Sequence, residues 1–178
     1  MTAYDWLIIF IGVGLIVLFT FEGMLRALFG LVILWSATLM SALAYVEVAY
    51  RLQAITGPNR VLARGIVFDI LLVLIFVAGY VVVRVTFPVT KLPRLGALDT
   101  IMGTLLGCII AVVFMSLLVN SLGVMVVDHW TSDPNGWAMM RFTYLRSGLR
   151  PYTSRVLSGY SLLFPVFFQG LPPVLVPQ

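Results

Sequence analysis

Asp69 is the residue best placed to do chemistry. It stands about five residues into an apolar run, Gly65-Ile66-Val67-Phe68-Asp69-Ile70-Leu71. An ionised carboxylate in hydrocarbon is costly, so it must face protein, water or a cation. Gly65, Leu72, Phe76 and Gly79 share its helical face, and the two glycines invite another helix close. One reading is a proton or cation site in a small channel or transporter. The plainer one is a carboxylate near the head groups, paired with Arg60 or Arg64 or bonded to a neighbouring helix.

Other polar residues sit at the ends of apolar runs. Glu22 and Arg26 stand four apart across a break at Gly23, a spacing that allows an ion pair. Glu47 and Arg51 repeat it. Gly23 supplies backbone freedom for the turn. Asp99 opens a run in which Gly103, Gly107 and Ala111 follow at four-residue intervals. Asp99 complements the positive end of a helix dipole, and the small residues form a groove for a second backbone. Asn120 lies deep in that run, on another face, and needs a hydrogen-bond partner. Enzyme templates fail: there is no phosphate-cradling glycine loop, no H-E-x-x-H and no Ser/His/Asp set. The lone Cys108 and the lone His129 lack partners for a disulfide or a metal cluster. No cofactor is expected.

These residues need elements that can live in lipid. Of 178 residues, 61% are hydrophobic and only 10% are charged, against roughly 25% in soluble domains. Apolar runs occur at Trp6–Phe21, Arg26–Tyr50, Gly65–Phe87 and Asp99–Val127. Crossing a bilayer takes roughly 17 to 25 helical residues, so four spans are expected. They must be helices, because lipid offers no partner for backbone groups. Met1–Asp5 carries no basic residue and no A-x-A site follows, so the first run reads as a retained helix. Gly57-Pro58-Asn59 marks a turn between the second and third spans. Charge near the span ends is balanced and sets no orientation.

The tail differs. Ser132-Asp133-Pro134-Asn135-Gly136 reads as a turn. Ala138, Phe142, Leu145 and Leu149 then recur at helical spacing, as do Tyr152, Val156, Tyr160, Leu163 and Phe167. Arg141, Arg146, Arg150 and Arg155 flank them. This pattern suits helices lying in the membrane interface, with arginines reaching phosphates. The alternative is a soluble amphipathic hairpin packed on a partner. Gly170-Leu171-Pro172-Pro173 is too proline-rich for helix. The fold class is therefore an all-α integral membrane protein: a four-helix transmembrane domain over 1–128 and an amphipathic membrane-surface tail over 129–178. The net charge of +4 suits anionic lipid. No dense basic patch marks a nucleic-acid site.

These landmarks resemble the bacterial colicin V production protein family. Asp5 precedes the first span. Gly23-x-x-Arg26 is similar to the family's turn into its second helix. Leu95-Gly96-Ala97-Leu98-Asp99, with Gly103 and Gly107, is similar to the start of its last span. Ser147-x-Leu149-x-Pro151 fits its post-membrane helix. The chain departs from the pattern at Glu22, Ala27 and Ile110. The resemblance implies a non-enzymatic protein of the bacterial inner membrane, linked to toxin production or export or to envelope homeostasis, and brings no catalytic residues. The expected partners are the lipid bilayer and either further copies of the chain or other membrane subunits. A structural accessory subunit of a larger energy-transducing or transport complex is the alternative.

Overall fold

A computed structural model of the chain describes residues 2–56, 60–87, 97–127, 134–164 and 175, with side chains placed outside 52–62 and 127. The turn at 57–59, Leu95-Gly96, His129, Ser132-Asp133, Phe167 and the proline-rich end lie outside the described residues. Among the described residues six helices follow in order: α1 Ala3–Glu22, α2 Met24–Thr56, α3 Arg60–Thr86, α4 Ala97–Val127, α5 Pro134–Leu145 and α6 Arg150–Ser161. The first four are long and apolar enough to cross a membrane. The protein is an all-α membrane protein.

Side-chain pairings fix the topology. α4 runs antiparallel to α1: Asp99 meets Met24 just past the end of α1, and Leu118 meets Tyr4 at its beginning. α3 runs antiparallel to α4, since the Ser121 hydroxyl donates to the Gly65 carbonyl at 3.2 Å. Tyr45 packs edge-on against Phe68, which sets α2 antiparallel to α3. The result is an up-down-up-down bundle in which α4 touches every other helix. α1, with 20 residues, is about 30 Å long and matches the hydrocarbon core.

The packing explains which positions are small. Gly103 lies against the Phe19 carbonyl and the Gly23 backbone, and Gly107 lies against Ile16 and Phe19. The glycine groove of α4 thus receives α1, as its spacing suggests. Ala27 and Ile110 are wholly buried, so the departures from the family pattern there place apolar side chains in the core. Outward, α1 shows Trp6, Phe10, Val13, Val17 and Phe21, with Phe10 81% exposed. Such a stripe in water would be an aggregation surface; in lipid it is the solvated face.

Among the described residues the tail forms two helices, but α5 starts at Pro134, inside the segment that reads as a turn. Proline is suited to a first helical position, where its fixed φ fits and its missing N–H had no helical partner. α6 buries Thr153, Leu157 and Ser161. Its far end reaches α2, where the Tyr160 hydroxyl bonds Thr38 at 3.2 Å and Phe164 stacks on Trp35. Thr38 is 14 residues from Met24, about 21 Å along α2. That leaves about 9 Å of helix to the level where α1 begins. The Tyr160 phenol is pushed up to about 12, raised by burial and only partly relieved by Thr38.

Two outcomes follow. Gly103→Ala drives a methyl into backbone and should cost about 1–3 kcal/mol, whereas Gly14→Ala, which meets nothing within 4 Å, should leave stability unchanged or slightly higher. Thermal denaturation in mixed micelles reads both. Above the ordinary tyrosine pKa the unfolded chain loses the Tyr160 proton first, so stability falls as pH rises from about 10 towards 12. Wild type should lose more melting temperature than Tyr160→Phe between pH 9 and 11; equal losses would contradict this.

Candidate functional site

Several of the polar residues singled out in the sequence gather in two clusters, one at each end of the bundle. At one end, α1 stops at Glu22 and α2 starts at Met24. Gly23 joins them with φ +87°, the left-handed region open to glycine. A Cβ there would also collide with the Asp99 carboxylate. So abrupt a start leaves the first N–H groups of α2 without helical partners. Asp99, from the first turn of α4 and 5% exposed, accepts the Met24 N–H at 2.9 Å. One carboxylate therefore caps a neighbouring helix while lying at the positive ends of both α2 and α4.

The same end collects α3. Glu22 and Arg26 form the expected ion pair. Tyr80 of α3 donates to Glu22 at 2.9 Å, and Arg26 donates to the Phe87 carbonyl at 3.0 Å. Phe29 stacks on Phe87. Every spanning helix thus contributes to one polar knot. Glu47 and Arg51 also pair, at 3.1 Å, but both are exposed, where such a pair contributes little.

The opposite end is organised by Asp5, which is wholly buried. Thr2 and Asp5 cap α1 reciprocally: Thr2 N–H donates to Asp5 at 2.8 Å, and Asp5 N–H donates to the Thr2 hydroxyl at 3.3 Å. Asp5 also accepts from the Ser147 hydroxyl at 2.5 Å and from the Gly148 N–H at 3.3 Å. A buried carboxylate is tolerated when its lone pairs are filled by donors in this way. The bonds join the start of α1 to the α5–α6 joint, 142 residues away. Sequence reading picked out Asp5 and Ser147 separately and did not join them. The T-x-x-D spacing was a legible capping signal; the partner across the fold was not.

Asp69 belongs to neither knot. It lies on α3 between the levels of Gly65 and Val73, beside Ser121 and Tyr4. Asn120, Ser116 and Ser121 are buried in α4. The tail arginines lie back on aromatic rings: Arg141 over Trp137 at 4.8 Å, Arg146 over Phe142 at 4.1 Å, Arg150 over Tyr144 at 4.7 Å. Arg141, Arg146 and Arg155 remain exposed. No group of three His, Cys, Asp or Glu side chains suited to a metal ion occurs among the described residues.

Replacing Asp99 by alanine should leave the Met24 N–H without its partner and cost about 1–3 kcal/mol. Gly23→Ala should destabilise as well, since it meets both the φ requirement and the carboxylate. Urea or SDS titration of the purified protein checks both, and wild-type stability in either variant would contradict the capping role.

The sequence model described as Colicin V production protein matches residues 4–152. No curated protein and no solved structure matches the chain. The matched region runs from α1 into α6 and contains both knots except Thr2. Residues of the four motifs that carry the resemblance meet in pairs: Asp5 with Ser147, and Gly23 with Asp99 and Gly103. The chain belongs to the colicin V production protein family.

Proposed function

We propose that this is a non-enzymatic, multi-pass protein of the bacterial inner membrane that supports toxin production or export, or envelope homeostasis, as a scaffold for other membrane components. Family membership supports the setting. The observation that carries the scaffold reading is how the motif residues are used. Asp5, Gly23, Arg26, Asp99, Gly103 and Gly107 hold helix ends and backbones together, and their polar groups bond to the protein itself. The exposed Arg141, Arg146 and Arg155 complement this, as cations for lipid phosphates along the tail.

A scaffold acts through what it holds. Extraction in mild detergent, capture through a tag and mass spectrometry should recover further copies of the chain together with envelope or export proteins. Recovery in fixed stoichiometry with a single energy-transducing complex would overturn this reading in favour of an accessory subunit. Asp99→Asn should reduce the recovered partners in proportion to the loss of folded protein.

A further inference from the structure

Asp69 is a half-buried acidic side chain that neither knot uses, and its surroundings are unlike theirs. Its Oδ1 is buried and has no hydrogen-bond partner among the described residues. The two hydroxyls beside it leave that oxygen unserved: Ser121 is shared between the carboxylate and the Gly65 carbonyl, and Tyr4 donates to the Leu118 carbonyl. A carboxylate so placed has room for a further donor.

Two apolar grooves meet at this carboxylate. One, of about 500 Å³, lies between α1 and α3 with Phe114 and Leu118 of α4 beneath it. It closes at its far end, where Phe19 packs edge-on against Tyr80 at 6.1 Å and Tyr80 bonds Glu22. From Asp69 to Tyr80 is 11 residues, about 16 Å of helix. The second, of about 650 Å³, runs along the outer side of α3 from Asp69 through Val73 and Val77 to Ala78. Both are bounded by side chains that face lipid. Asp69 is level with Tyr4, near the start of α1, and so lies where head groups give way to acyl chains. Arg64 is exposed on the same helix, about 7 Å nearer that face.

We propose that Asp69 and its two grooves bind a phospholipid with a primary-amine head group. The ammonium donates to Asp69, one acyl chain fills the groove between α1 and α3, and the other follows the outer side of α3. Arg64 stands at the level of the phosphate. Three observations select this occupant. The site is a carboxylate with one oxygen unpartnered among the described residues, which suits a cation with N–H groups. Two grooves start at one carboxylate and run side by side along α3, sharing Val73 and Val77, as two acyl chains run from one head group. The grooves lead away from the nearer membrane face, the direction in which that leaflet's chains run. This goes beyond the scaffold reading and rests only on membrane placement.

The test is competition among ethanolamine, choline and glycerol phospholipids with identical chains. The intact chain is reconstituted in an equimolar mixture, extracted mildly and weighed by native mass spectrometry with its bound lipid. Wild type should retain the ethanolamine lipid over each of the others by about tenfold. Choline carries the same charge without N–H donors, so it separates donation from simple attraction. Asp69→Asn, with helical content verified by circular dichroism, should bring the preference close to parity. Val77→Trp fills groove space without touching the carboxylate and should lower retention of all three lipids. If Asp69→Asn does not fold, Val77→Trp still decides, because wild-type retention in it overturns the proposal. So does equal retention of ethanolamine and choline lipids, an unchanged preference in Asp69→Asn, or a lipid-free dimer that depends on Asp69.

Discussion

A helix that begins near a membrane face leaves backbone N–H groups pointing where water is scarce, and something must accept them. In this bundle two carboxylates do so, one at each end. Asp99 accepts the first N–H of α2, and Asp5 accepts N–H groups from the start of α1 and from the α5–α6 joint. Each lies on a different element from at least one donor that it serves. Local capping thereby becomes tertiary structure. In lipid, burying apolar surface between helices brings little gain, so close packing and polar ties decide the arrangement.

The rest of the fold follows from these two ties. With Asp99 bound at Met24, the beginning of α4 is set against the end of α1, and Gly103 and Gly107 allow the two backbones to touch. With Asp5 bound at Ser147 and Gly148, the tail must turn back over α4. α6 then lies across α4 towards Thr38 and Trp35 of α2. Glu22, Arg26, Tyr80 and Phe87 bring α3 into the first tie. α4 is central because both of its ends, and its small-residue groove between them, are occupied.

Much of this was legible in the chain itself. The four spans follow from length and hydropathy. The Glu22–Arg26 pair follows from its spacing, and the glycine groove from its four-residue repeat. Partnerships between distant segments were not legible. Asp5 and Ser147 are 142 residues apart, and no periodicity connects them. Asp99 reads as a complement to the dipole of its own helix, because a sequence shows only the helix in which a residue stands. Pro134 was ambiguous for a physical reason: the residues that make turns also begin helices. For Asp69 the chain offered a pair with Arg60 or Arg64 or a bond to a neighbouring helix. Among its described neighbours is Ser121 of α4, which hydrogen-bonds it, and proximity in sequence could not choose that partner.

The central claim is that Asp5 ties the tail to the first helix as one cooperative unit. A double-mutant cycle with Asp5→Ala, Ser147→Ala and both, read by denaturant titration in lipid, measures that tie directly. Hydrogen bonds to charged groups contribute about 1.5–3 kcal/mol, so the two changes together should cost less than their sum by at least about 1 kcal/mol. Additivity within about 0.5 kcal/mol would contradict the account.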